Sequence, residues 1–255
     1  MVKSNLYKKI YWWIGNIYRF LTIPFFQRKV FINDISTIFG SSFDKEDGWN
    51  HIVETLKEYD LNPDISYKET TMYFYLKSFT PKSILDLVDN TGSTLSIFEY
   101  PWGTFKKGKF FSNKDANISR FCGPSSDAFI EEEFNSVIRL YHKLKKSGYR
   151  PWINYNRHIG GTFLIDKNNK KRFIVLQGNH RVAIFSHLGY YKKLSVRNVK
   201  GFHQRIFEEN FLNWPLVKKN KCNQHDAINV FKLFFRENGH HILDYINKNK
   251  QKIKL

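Results

Sequence analysis

The clearest alternation of apolar and polar positions lies in the middle of the chain. Ile130, Phe134, Val137, Ile138, Tyr141 and Leu144 recur at intervals of three and four, which places them on one face of a helix predicted over residues 127 to 146. Ser125 or Ser126 can cap its start. Asp127, Glu131, Glu132 and Glu133 suit the positive end of the helix dipole, and Lys143, Lys145 and Lys146 the negative end. Gly148 stops it. With Ile130, Phe134 and Tyr141 marking the buried face, Glu132 points away from it, while Asp127, Glu131 and Glu133 border it. After Gly160-Gly161 come two continuous apolar runs, at 162–165 and 172–176, joined by a polar stretch of hairpin type at 166–171. The second run leads straight into Gln177-Gly178-Asn179-His180-Arg181. A short helix over 182–188, stopped by Gly189, and a strand over 194–199 complete the region.

Elsewhere the periodicity is weaker. An amphipathic helix begins near Trp49 and ends near Asn62-Pro63, in an acidic stretch that runs from Asp34 to Asp60. A short helix over 81–88 sets Ile84, Leu85 and Val88 on one face. Tyr100-Pro101-Trp102-Gly103 reads as a turn with an exposed aromatic, either structural or able to stack on a sugar or base. Beyond Gly201 the chain is helical and basic, with helices at 207–214, 227–235 and 241–246 and a charged tail. The first thirty residues differ from all of this. Lys3, Lys8, Lys9 and Arg19 are interleaved with Trp, Tyr and Phe, Pro24 ends any helix, and no acidic residue precedes Asp34. Residues 1–26 therefore suit a helix lying in the interface of an anionic membrane, or one packed on the body of the protein.

Composition adds two constraints. In 255 residues, 42% hydrophobic and 17% aromatic, a packed interior is expected and wholesale disorder is not. The 41 Lys and Arg against 23 Asp and Glu leave an excess of 18 positive charges. That excess favours polyanionic partners: nucleic acid, anionic lipid or phosphorylated sugars. An AT-rich coding sequence also enriches Lys and Asn. Two cysteines, Cys122 and Cys222, cannot build a disulfide framework, so a cytoplasmic setting is expected, peripheral at the inner face of a membrane if residues 1–26 lie in its interface. No window holds the roughly 18 apolar residues of a spanning helix, and no signal-peptide cleavage site is apparent.

Gly178-Asn179-His180-Arg181 carries the chemistry. A strand-to-helix turn presents first-turn N–H groups and the positive end of the dipole to an anion. Gly178 lets the backbone approach a phosphate and adopt positive φ. Arg181 supplies a planar donor fork, and His180 a donor that can move a proton near neutral pH. The plainer alternative is a capped turn with solvated His180 and Arg181. Arg157 and His158, at the mouth of the hairpin, can hold an anionic substrate or merely face solvent. Ser125 and Ser126 can donate to phosphate or only cap. Cys222, His225, His240 and His241 lack the paired spacing of a zinc site, and no metal site is expected there. Cys122 reads as a buried small residue.

These residues resemble the ParB/sulfiredoxin-like superfamily. Its order of helix, Gly-stopped turn, hairpin, Gly-x-His-Arg or Gly-Glu-Arg-Arg opening a helix, and strand is matched over residues 120–200. The resemblance implies an α+β chain: a ParB/sulfiredoxin-like core of a small mixed sheet with helices, flanked by helical extensions. The corresponding divisions are 1–30, 31–119, 120–200 and 201–255. Sulfiredoxins carry a cysteine immediately before the His, where this chain has Asn179, so that repair chemistry is not expected. ParB proteins add a helix-turn-helix, and none is evident after residue 200. The free-serine kinases of the superfamily, with Gly-His-His-Arg, are nearest in motif. Their likeness implies a nucleoside tri- or diphosphate, with Mg2+, whose phosphates Gly178, His180 and Arg181 would contact; Asn179 in the same turn and Ser125 and Ser126 are further candidate phosphate-binding residues. The whole chain also resembles uncharacterised proteins that accompany bacterial surface-polysaccharide genes, through Gly123-Pro124-Ser125-Ser126-Asp127 and Tyr100-Pro101-Trp102-Gly103. A sugar or other small acceptor follows from that resemblance. In a phosphotransferase of this kind Asp127 or Glu131 would serve as base or metal-water ligand, with His180 as a catalytic partner. A ParB-type nucleic-acid-binding module and a non-catalytic membrane-associated regulator are the alternatives.

Overall fold

Short extended segments from the first part of the chain and the central hairpin share one sheet. The computed structural model describes residues 28–44, 46–88, 95–104, 121–149, 158–190, 193–199, 202–236 and 238–253. The basic aromatic segment 1–26 and Arg157 lie outside them. In chain order come β1 (Arg28–Val30), β2 (Ile35–Ser36), α1 (His51–Leu61), α2 (Thr71–Ser78), a 3-10 turn over Ile84–Val88, β3 (Glu99–Tyr100) and β4 (Gly103–Thr104). Then follow α3 (Asp127–Ser147), β5 (Ile159–Ile165), β6 (Lys171–Gln177), α4 (Asn179–His187), β7 (Leu194–Asn198) and β8 (Arg205–Phe207). A 3-10 segment over Glu208–Asn213, α5 (Pro215–Lys218), α6 (Gln224–Arg236) and α7 (His240–Ile253) complete the described chain. The fold is α+β with a mixed sheet.

The order across that sheet is β1-β7-β5-β6-β2. The hairpin β5–β6 is antiparallel, and every residue of β5 is buried. β7 runs parallel to the first half of β5, at Ile159 to Gly161, and β8 parallel to its second half, at Phe163 to Ile165. Two short strands thus share one edge of β5. β1 closes the far side of β7, and β2 lies parallel to β6. Residues well before 120 therefore complete the sheet of the 120–200 region. One hydrophobic cluster runs from Val30 to Ile246 through all four divisions read from the sequence.

The helices follow the apolar periodicity, with shifted ends. Asn50 accepts from the N–H groups of Ile52 and Val53 and starts α1 two residues after Trp49. Ser126 caps α3, whose buried residues are Ile130, Phe134, Val137, Tyr141 and Leu144; Gly148 ends it with φ +66°. α1 packs on α2 and α4, and α3 on α2 and α4. Two expectations fail. The Tyr100-Pro101-Trp102-Gly103 turn is a tight hairpin whose aromatics are buried, because Trp102 packs edge-on against Trp214 and Phe231 and Tyr100 donates to the Ile38 carbonyl. The helix expected over 207–214 begins instead as strand β8 and continues as a 3-10 segment.

Candidate anion-binding site

β6 ends at Gln177 and the chain turns into α4 through Gly178, which has φ +93° and ψ 22°. This left-handed conformation is open to glycine and costly for a residue with a Cβ. The first helical bond is Val182 N–H to the Gly178 carbonyl, 3.1 Å. Asn50, Thr70 and Ser126 cap α1, α2 and α3 with their side chains; Gly178 has none to offer α4. Backbone and ligand can thus meet where a cap would otherwise sit. A Cβ on Gly178 would lie 3.4 Å from Ile159 Cα and 3.5 Å from Arg181 Nη1. Nη1 of the Arg181 guanidinium therefore lies against the turn. Asn179 Oδ1 is sealed from solvent and accepts no hydrogen bond among the described residues.

His180 and Arg181 face different walls, as successive helical residues must. His180 Nε2 lies 2.8 Å from Glu133 Oε1 on α3. Near it, His51 at the start of α1 stacks on Tyr75 with ring centroids 3.8 Å apart. Burial, and then the proximity of His180, push the His51 pKa down to about 3, so that ring is neutral at physiological pH.

Arg181 faces β5 and β7. There His158 is buried, and burial, then Arg197, then Arg181 lower its pKa to about 4. Tyr149 joins the same wall: its hydroxyl donates to the Ser195 carbonyl at 2.8 Å and accepts from Ile159 N–H at 3.4 Å. Burial pushes its phenol up to about 12 against the opposing influence of Arg181 and Arg197. Both guanidiniums are thus close enough to act on the same imidazole and the same phenol.

Gly178, Asn179, His180, Arg181 and His158 are thereby gathered around one turn. The other residues nominated by the sequence, so far as they are described, make their contacts elsewhere. Asp127 lies 2.6 Å from Lys77 and 3.6 Å from Lys68, and its carboxyl is held below the usual range chiefly by the Lys77 hydrogen bond. About 9 Å of helix rise separates it from Glu133. Glu131 is exposed. Ser125 is buried and fixed to α2, its N–H donating to the Leu76 carbonyl and its own carbonyl accepting from Lys77 Nζ. Ser126 caps α3. Cys122 is buried with its thiol pushed up to about 12, and His241 Nε2 lies 2.7 Å from the Phe39 carbonyl. Among the described residues no group of three or more His, Cys, Asp or Glu is placed to hold a metal.

Three residues of the site carry little signal in the sequence. Glu133 shows only as bordering the buried face of α3, because its partner sits on another helix. Arg197 stands in a strand whose alternation, Leu194 and Val196 inward, gives no sign of what the other face meets. His51 has no distinguishing feature beyond its place at a helix start. Comparison with protein-family models, with curated proteins and with solved structures gives no match.

Proposed function

We propose that the 178–181 turn binds a phosphoryl group of a nucleotide, and that the protein is a nucleotide-dependent phosphotransferase acting on a small-molecule or sugar acceptor, in keeping with a role in surface-glycan synthesis. The observation that carries this reading is Gly178 in the left-handed region at the head of α4, with Arg181 Nη1 lying against it. A helix N-terminus and a guanidinium directed at one place form an anion site. The resemblance of the turn to the Gly-x-His-Arg kinases supplies the chemical class.

Gly178 and Arg181 would hold the phosphoryl group, with Asn179 offering its amide. A bound nucleoside triphosphate would supply the group transferred. His180 is the base that the geometry favours over Asp127 or Glu131. The Glu133 carboxylate accepts from His180 Nε2–H, which leaves the Nδ1 lone pair to take the proton of an acceptor hydroxyl. As that oxygen bonds to phosphorus, the bond to the leaving phosphate breaks and its electron pair departs with the leaving oxygen. Glu133 then stabilises the imidazolium, while neutral His51 adds no opposing charge. Asp127 is held by two ammonium groups and Glu133 by an imidazole, so on this reading Mg2+ would enter with the nucleotide's phosphates rather than on those two carboxylates.

Thermal-shift titration with ATP, ADP and CTP, with and without magnesium, tests the reading. At least one nucleotide should raise Tm in the wild type and not in Arg181→Ala; no shift with any of the three rejects it. The net charge of +18 favours a second reading, nucleic-acid binding, which requires DNA affinity that falls steeply with salt.

A further inference from the structure

Residues 1–33 contain six Lys and Arg and residues 167–207 contain ten, and neither stretch contains an Asp or Glu. The remainder holds 25 of the 41 basic residues and all 23 acidic ones, so nearly the whole excess of 18 belongs to these two stretches. The fold joins them. β1 comes from the first and β7 from the second, and they pair antiparallel at one end of the sheet.

In that pairing Lys29 lies opposite Ser195 and Val30 opposite Leu194. One residue further, the register sets Phe31 opposite Lys193, and the Lys193 ammonium does lie 4.5 Å from the centre of the Phe31 ring. Side chains alternate along a strand. Val30 and Leu194 turn into the core, while Lys29, Phe31 and Lys193 share the opposite face and are all exposed, Phe31 to 48%. A ring left half in water forgoes much of the gain of burying it, and the ammonium over it is held by the ring's own charge distribution. Asp34, the first acidic residue of the chain, acts on the buried Arg172 guanidinium.

An exposed aromatic flanked by two ammonium groups suits the interface of an anionic bilayer, where the ring enters among the headgroups and the charges meet their phosphates. The connection of the chain favours this partner over nucleic acid. Arg28 follows the basic aromatic segment 1–26 by two residues, and two residues span at most about 7 Å. That is less than the Debye length of about 8 Å at physiological salt, so an anionic surface that takes up the end of the segment also attracts β1. Two charges and half a ring are too little to hold the body on a membrane alone. Tethered behind the segment, they multiply its affinity.

We propose that Lys29, Phe31 and Lys193 form a second contact with an anionic membrane and set the body of the protein down on its β1 edge. This contact is separate from the 178–181 turn and holds whether or not that turn binds phosphate.

Titration of the full chain with phosphatidylcholine vesicles, with and without phosphatidylserine, tests it at physiological salt. Lys29→Gln/Lys193→Gln should weaken binding to the phosphatidylserine vesicles about 30-fold, each basic residue near such a surface being worth about fivefold. Phe31→Ala should weaken it about fivefold. Lys29→Arg/Lys193→Arg should bind as wild type does, which separates charge from folding. Lys218→Gln/Lys219→Gln removes the same charge from exposed positions of α5 and its neighbour and should also leave binding unchanged. An equal loss in that variant makes the effect one of bulk charge and overturns the proposal. So does wild-type binding in both Lys29→Gln/Lys193→Gln and Phe31→Ala, or a wild type that binds neither vesicle. A Lys29→Gln/Lys193→Gln protein that keeps its vesicle binding and loses DNA affinity assigns the face to nucleic acid instead.

Discussion

Gly178 and Glu133 show how differently two residues of one site can announce themselves. Glycine between a buried strand and a helix has few uses other than a positive φ or a close approach, so the position of Gly178 in the chain already marks a turn of positive φ. Replacing it with alanine forces a Cβ into the left-handed region at φ +93°, a cost of about 1–2 kcal/mol. We expect Gly178→Ala to lower Tm by a few degrees and to weaken nucleotide binding, measured by calorimetry on the folded variant. Glu133 is one of three consecutive glutamates, and helix geometry alone cannot say which of them meets a partner from α4. Its proposed role gives a different signature. Glu133→Gln should leave nucleotide affinity near wild type and lower kcat about 100-fold or more. An unchanged kcat would remove the His180–Glu133 pair from the mechanism.

At the scale of elements, legibility follows length and periodicity. α3 spans 21 residues and repeats its buried face over and over, whereas β1 and β2 span three and two residues and become strands only through pairing with β7 and β6. Trp102 reads as exposed in the sequence because a turn is normally at the surface; Trp214, more than a hundred residues later, covers it. The packing of α4 is likewise long-range. At its far end His187 Nε2 lies 2.7 Å from Asp60 on α1, and Asp60 also accepts from Tyr141 of α3 at 2.8 Å, with Lys145 donating to that phenol. Burial alone would raise the Asp60 pKa, but the hydrogen bonds from His187 and Tyr141, with the charges of His187 and Lys145, outweigh it and hold the carboxyl below its usual value. This contribution is present above the unfolded carboxyl pKa near 4 and is lost as pH falls through the lower folded value. The carboxylate is 40% exposed, so screening limits its worth to about 1 kcal/mol. Asp60→Asn should therefore lower Tm by only about 2–4 °C at neutral pH, and a loss much larger than that would contradict the screened picture.

Two imidazoles near the turn are held towards the neutral form in the folded chain. His158 is lowered from 6.5 to about 4 and His51 to about 3. Below pH 6.5 the unfolded chain takes up protons that the folded chain refuses, so stability is full above that pH and falls steadily towards pH 4. For buried His158 the loss is on the order of 3 kcal/mol. Thermal unfolding between pH 7.5 and 4.5 should show a declining Tm, and His158→Gln should make the decline shallower, with His51 accounting for what remains. Equal slopes in the two proteins would place the acid sensitivity elsewhere.

For the whole molecule, the excess of 18 positive charges admits two polyanionic partners that respond differently to the same deletion. Residues 1–26 contribute Lys3, Lys8, Lys9 and Arg19 and no acidic residue, so most of the excess belongs to the rest of the chain. Nucleic-acid binding, if it depends on bulk charge, should survive removal of this segment and decline steeply with salt, because each phosphate contact releases a counterion. Membrane association through Trp12, Trp13 and their aromatic neighbours should instead vanish with the segment. Because interfacial aromatics bind partly by burial, it should also outlast the Debye screening that about 0.5 M salt imposes on surface charge. Co-sedimentation of the full chain and of residues 27–255 with anionic vesicles, beside DNA titration of both at low and high salt, separates these cases. A truncated chain that still pellets with vesicles at that high salt would exclude the aromatic segment as the anchor and leave the body of the protein as the binding surface.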